Sequence, residues 1–203
     1  MEIHPVTLTG KVVRLEPLSE GHNEDLFQVG LEKSIWKYMP YAQPQSAEDM
    51  LKWIRGMLRR QACGSDLPFA VVLQETGRAI GATRYLDIRR QHRSLEIGGT
   101  WYGVDYQRTA VNTESKYLLL VHAFETLDCI RVQFKTDARN LRSQRAIERL
   151  GAVREGVLRD HIIMAEGYRR SSVYYSVLDR EWPGVKEGLK EKLSGNYSPQ
   201  KQT

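Results

Sequence analysis

Cysteine is scarce in this chain. Cys63 and Cys129 are the only two, they lie far apart, and they fit neither a disulfide framework nor the paired spacing of a zinc site. Both read as small packing residues, and no metal is expected. Long apolar runs are missing as well: no window approaches the ~18 consecutive apolar residues of a membrane span. The opening MEIHPVTLTGKVVRL lacks a basic segment followed by an apolar one, so a cytoplasmic protein without a membrane partner is expected. No Pro/Gly/Ser-rich linker interrupts the chain, and residues 1–195 are expected to form a single domain followed by a polar, disordered tail at 196–203. Charge of one sign is not concentrated either. The 30 basic and 25 acidic residues leave a net +5, but they are interleaved, and no binding motif or basic face points to nucleic acid.

What is present is enough apolar sequence, 41%, to bury a sizeable core. KVVRLEPL (11–18) alternates as a strand should, and SEGHNEDLFQVG reads as a helix opened by Ser19. In SAEDMLKWIRGMLRR, Ser46 caps a helix whose Met50, Trp53, Ile54, Met57 and Leu58 recur at helical spacing. LPFAVVLQ, ETGR and AIGATRYLDIRR form a hairpin pattern, and SLEIGGTWYG (94–103) is a strand whose Gly-Gly pair predicts a bulge. YLLLVHAFETL is helical, CIRVQFKT is a strand, and NLRSQRAIERLG is a helix ending at Gly151. Two strands, AVREGVLRD and SSVYYSVLDREW, and a short helix over 185–193 complete the order. The predicted class is α+β, a mixed sheet of about seven strands with flanking helices.

Three stretches carry chemistry. Plain alternation puts Glu96, Gly98, Thr100 and Tyr102 on one strand face, and Leu95, Ile97, Gly99 and Trp101 on the other. A carboxylate beside small residues and bulge-exposed N–H groups can serve as a general base, although an ordinary exposed strand Glu has the same local pattern. In NLRSQRAIERLG, Asn140 is a natural cap and Ser143 is the hydroxyl on an otherwise apolar stripe, flanked by Arg142 and Arg145. YQRTAVNTESK (106–116) lies between strand and helix, where free backbone N–H groups at about Arg108 to Asn112, with Arg108 and Lys116 nearby, can hold an anion.

Five segments in this order resemble the GNAT superfamily of acyl-CoA-dependent N-acyltransferases, in the branch of ribosomal-protein N-terminal acetyltransferases. They are LTGKVVRLEPL, GRAIGATRYLDI, SLEIGGTWYG, YQRTAVNTESKYLLLVHAFE and KTDARNLRSQRAIERLGAVREGVLRDH, and the likeness runs from about Leu8 to Trp182. It implies the GNAT fold, acetyl-CoA as co-substrate and no metal. The family's pyrophosphate turn, Q/R-x-x-G-x-G/A, falls on Gln107, Arg108, Thr109, Ala110, Val111 and Asn112, followed by Thr113, so its two glycine positions hold Ala110 and Asn112. Ala is small, and Asn both tolerates a left-handed backbone and caps helices.

By the same resemblance, Glu96 is a candidate base beside the acetyl group. Backbone N–H groups near Gly98, Thr100, Trp101 and Tyr102 would hold the pantetheine and thioester. Asn140 would touch the cofactor arm, and Ser143 is a candidate proton donor to the departing thiolate, ahead of Tyr102 and Tyr168. The aromatic loop with Trp36, Tyr38 and Tyr41, and the hairpin carrying Tyr168, would shape the acceptor pocket. The acceptor is then a primary amine, small molecule or protein N-terminus, and homodimers are common in such families. A non-catalytic acyl-CoA-binding module is the alternative, motivated by the missing glycines.

Overall fold

The computed structural model describes residues 1–164 and 167–195. In chain order they form β1 (Leu8–Thr9), β2 (Val13–Pro17), α1 (Asn23–Val29), α2 (Ala47–Ala62), β3 (Leu67–Leu73), β4 (Ala79–Arg89) and β5 (Ser94–Tyr102). There follow α3 (Ala110–Val121), β6 (Arg131–Asp137), α4 (Leu141–Arg149), β7 (Val153–Ile163), β8 (Arg169–Leu178) and α5 (Trp182–Ser194). The strands form one sheet in the order β1-β2-β3-β4-β5-β6-β8-β7. Neighbours are antiparallel except β5 and β6, whose parallel pairing covers only Ser94–Glu96 against Arg131–Gln133. The sheet has eight strands instead of about seven because the two-residue β1 pairs with Arg14 and Leu15 at its edge.

Alternation sorts the strand side chains into two cores. On one face Leu67, Phe69 and Val71 join Leu95, Ile97, Val132, Phe134, Val173 and Tyr175 beneath Leu119 and Leu120 of α3, Ile147 of α4 and Leu189 of α5. On the other, Ala70, Val72, Ala82 and Trp101 pack under Leu26 of α1 and Met50, Ile54 and Met57 of α2. Burying such side chains is worth about 1.5–3 kcal/mol each before the entropy of ordering is subtracted. The helices α1 and α2 cover this second face only over its β2–β5 half, so the β6-β8-β7 half is free to carry polar residues.

Several boundaries move from their sequence-based positions. Ser19 caps a 3-10 turn, Glu20–His22, through a reciprocal pair with His22, and the α-helix proper starts at Asn23. The last helix begins at Trp182, earlier than 185, because a proline in its first turn needs no N–H partner there. DREW therefore belongs to the turn and helix after β8. The helix after the YQRTAVNTESK turn closes in a wide turn over His122–Thr126. Gly77 and Gly151 have φ of +69° and +97°, which suits the predicted hairpin turn and helix end. The expected tail at 196–203 lies outside the described residues.

Candidate active site

The bulge in β5 decides how the site is built. Ala82 pairs with Trp101 and Arg84 with Gly98, so Gly99 and Thr100 together oppose Thr83. Gly99 has φ +57°, and a Cβ there would lie 2.9 Å from Arg84 Nε, so the position needs glycine on both counts. An extra residue reverses the alternation beyond it. The face predicted for Glu96, Gly98, Thr100 and Tyr102 is therefore corrected. Tyr102 packs in the core with Leu95 and Ile97, whereas Trp101 joins the opposite core. Beyond Glu96 no β6 residue pairs with β5, so the two strands splay and the β5 edge from Ile97 lacks a strand partner among the described residues.

Two helix starts converge on the α3 face of this splay. Before α3, Arg108 takes the left-handed conformation, φ +61°, and Thr109 caps the helix, accepting from Val111 N at 3.2 Å. The left-handed residue is Arg108 and not Asn112, which is helical; Val111 N is bound by Thr109 and is not free as expected. Ala110 and Asn112 begin the helix, where N–H groups have no intrahelical acceptor. Before α4, Asn140 Oδ1 accepts from Ser143 N at 3.1 Å. Arg142 Nη1 donates to Gln107 Oε1 at 2.7 Å, and Gln107 Nε2 donates to Tyr102 O at 3.1 Å, tying both helix starts to the end of β5. Two positive helix ends beside an unpaired strand edge fit an elongated ligand with a phosphate end, and the small side chain of Ala110 leaves its N–H approachable. The capping of Asn140 uses the Ser143 amide and leaves its hydroxyl uncommitted among the described residues.

Lys116 is elsewhere than expected. It lies beneath the β5 bulge, 6% exposed, with Nζ donating to Thr100 Oγ1 at 2.6 Å and Thr83 Oγ1 at 3.4 Å. Burial brings its pKa down to about 7, so it is no ready positive charge for a phosphate. Glu114, two residues earlier, accepts from the N–H groups of Lys11, Val12 and Val13 at 2.7–2.8 Å and fastens the helix to the β1–β2 turn. Tyr102 is buried as well, which pushes its phenol up, and its hydroxyl donates to Asn112 Oδ1 at 3.4 Å.

The other face of the splay is lined by polar side chains. Glu96 is 2% exposed and is not set among apolar groups: Gln133 Nε2 donates to its Oε2 at 2.9 Å, and Lys135 Nζ lies 3.3 Å from the same oxygen. The ammonium offsets much of the cost of burying the carboxylate. Lys135 also sits over the Tyr174 ring, and Tyr174 Oη lies 3.3 Å from His161 Nε2. Burial holds the His161 pKa below its ordinary value, with the Lys135 and Arg170 charges adding to it. Further along, the Arg139 guanidinium stacks 3.5 Å from the Tyr168 ring centroid and 5.9 Å from that of Tyr38, while pairing with Asp137.

The three aromatic loop residues thus separate. Tyr38 joins Tyr168 on the polar face, but Trp36 and Tyr41 pack with Trp53 and Trp101 in the α1–α2 core, ring centroids 4.9–6.0 Å apart. They shape the support of the site and do not line it. Sequence reasoning had no role for Gln133, Lys135, Asp137, Arg139, Arg170 or Tyr174. The signal available was the polar alternation at 133, 135 and 137 and again at 170, 172 and 174, which adjacent strands place on one face.

The profile of the family described as "Acetyltransferase (GNAT) domain" matches residues 13–153. A Bacillus subtilis (strain 168) protein provisionally named ribosomal N-acetyltransferase YdaF is 30% identical over 76% of this chain and 84% of its own length. The ribosomal-protein-serine acetyltransferase of Escherichia coli (strain K12) is 22% identical over 83% of this chain and 94% of its own. The crystal structure of a GCN5-related N-acetyltransferase from Brucella melitensis superposes with a TM-score of 0.91 at 26% identity, covering 99% of this chain and 91% of that one. Since that profile spans well over half of its residues, the chain belongs to the GNAT family of acetyltransferases.

Proposed function

We propose that this protein transfers an acetyl group from acetyl-CoA to a primary amine of a small molecule or a protein N-terminus, in the cytoplasm. The observation that carries the reading is the splay itself. It separates a face with two helix N-termini, suited to a pyrophosphate and its arm, from a face with a buried carboxylate, and both meet where β5 leaves β6. Gln107, Thr109, Ala110 and Asn112, with Asn140 and Arg142, would hold the cofactor, and the β5 edge from Gly98 to Tyr102 its arm. The cofactor supplies the activated acyl group.

The attacking amine must be neutral, and an α-amino group with a pKa of ~7.7–8.0 needs less help than a lysine at ~10.4. Glu96 accepts or relays that proton, held in place by Gln133 and Lys135. The backbone donors on the unpaired β5 edge meet the negative charge that develops on the carbonyl oxygen, and Ser143 is the candidate donor to the leaving sulfur. A non-catalytic acyl-CoA-binding module was motivated by the missing glycines. Ala110 and Asn112 are helical, and the left-handed position falls on Arg108, so that motive weakens.

Incubating the protein with acetyl-CoA and an amine panel, with thiol release as readout, tests the proposal. Expected are a Tm raised by acetyl-CoA and turnover of at least one amine class. Cofactor binding without thiol release from any amine would favour the binding module, and no stabilisation by CoA would remove both readings.

A further inference from the structure

Arg170 is a buried charge with no hydrogen-bonded or ion-paired side-chain partner among the described residues. It lies on β8, 5% exposed, and its Nε makes no hydrogen bond. The carboxylates whose charges reach it are Asp137 and Glu96. Both are committed elsewhere: Asp137 accepts from the Arg139 backbone N–H at 2.8 Å and pairs with its guanidinium, and Glu96 pairs with Lys135. Among the described residues no carboxylate lies within 4 Å of the Arg170 guanidinium nitrogens. Its surroundings disfavour the charge, since burial lowers its pKa, yet arginine keeps its proton in proteins. A desolvated, permanently charged fork with an unpaired N–H matches a planar carboxylate.

Its place in the fold says what that carboxylate would belong to. Register sets Lys135 opposite Tyr174 and Asp137 opposite Ser172, and Arg170 follows on the same side of β8. The side chain thus lies between Glu96 and Lys135 at the splay and the Tyr38–Arg139–Tyr168 stack at the rim. Lys135 and Gln133 are spent on Glu96, and Arg139 on Asp137 and the two rings, so among the described residues of this face Arg170 is the cation left for a bound molecule. We propose that Arg170 is an anchor for the acceptor, and that the acceptor is an amine that also carries a carboxylate. The carboxylate docks on the guanidinium while the amine reaches Glu96. This rests on the acetyltransferase reading above and narrows its acceptor class. Such an amine is either a free amino acid or a peptide whose N-terminal residue is acidic.

Two acceptor series separate those sources. One runs from glycine to 5-aminopentanoate against the matching primary amides; the other uses C-terminally amidated peptides beginning with Asp or Glu against Asn or Gln. In one series the acid is expected to exceed its neutral partner in kcat/KM on the order of 100-fold, the usual worth of a desolvated charge pair. For glycine and its amide, intrinsic reactivity runs the other way, because the amide has the less basic and more readily deprotonated amine. Arg170→Gln is expected to bring that ratio towards one, chiefly through KM, and Arg170→Lys to restore part of it. Calorimetric titration of the CoA complex with the same pairs reads the preference without turnover, and circular dichroism checks that each variant folds. Equal acid and amide in both series, or a ratio unchanged in a folded Arg170→Gln, overturns the anchor. Acid-selective binding with no thiol release would leave the anchor standing and sink the transferase reading instead.

Discussion

The two faces of the β5–β6 splay solve different problems with different groups. On the α3 and α4 side the useful groups are backbone: two helix starts and an unpaired strand edge, with side chains such as Thr109, Asn140 and Gln107 serving to set the backbone. On the opposite side the useful groups are side chains: Glu96 of β5, Lys135 of β6, Tyr174 and Arg170 of β8, and Arg139 in the turn after β6. A backbone-built face can change its sequence while keeping its N–H groups, and Ala110 and Asn112 keep theirs in the first turn of α3. A side-chain face changes its ligand when a residue changes. The function proposed above therefore puts the cofactor on the first face and the choice of acceptor on the second.

The contrast extends to two buried carboxylates, and the strongest test compares them. Glu96→Gln is expected to lower kcat about 10²–10⁴-fold, the range of general acid–base catalysis, while the CoA-induced Tm shift stays within a degree or so of wild type. Loss of both together would make Glu96 structural. Glu114→Ala should do the reverse: about 3–5 kcal/mol less stability in urea denaturation, because three backbone N–H groups lose their acceptor. A loss below about 1 kcal/mol would mean that water replaces the carboxylate.

Lys116 gives a smaller effect of opposite sign. Its folded pKa of about 7 lies below the ordinary ~10.4, so between those values the unfolded chain binds the extra proton and stability rises with pH. Below pH 7 the full cost of burying the charge is present. Lys116→Met should therefore stabilise by roughly 1–4 kcal/mol at pH 6–7, with the gain shrinking towards pH 10. A gain that does not vary with pH would point to packing instead. Smallest is Ala110→Gly, expected to leave CoA affinity within about twofold and to cost at most about 1 kcal/mol of stability. A sharp rise in affinity would show that the Ala110 methyl obstructs the cofactor.

Much of this architecture could be read from the chain, for local reasons. The caps Ser46 and Asn140, a bulge beside the Gly-Gly pair and the helix end at Gly151 follow from backbone preferences that a few residues set among themselves. What followed the bulge was not legible. One inserted residue reverses the alternation, so Tyr102 and Trp101 exchange faces, and its placement depends on how β4 pairs. The aromatic loop misled for a related reason: aromatic residues signal burial, and whether Trp36 meets a ligand or Trp101 depends on where two distant segments pack.

The sequence alone determined the order of elements, the strand that bears Glu96 and the two helix starts, because capping, turn and periodicity act over a few residues. Tertiary structure decided the partners of every buried charge. Glu114 is satisfied across the sheet edge, Lys116 is enclosed under the bulge, Glu96 is matched by Lys135 from the next strand, and Arg170 has no ion-paired partner among the described residues. Whether a buried charge is satisfied depends on groups within a few ångströms in space, and sheet pairing draws those groups from positions far apart in the chain.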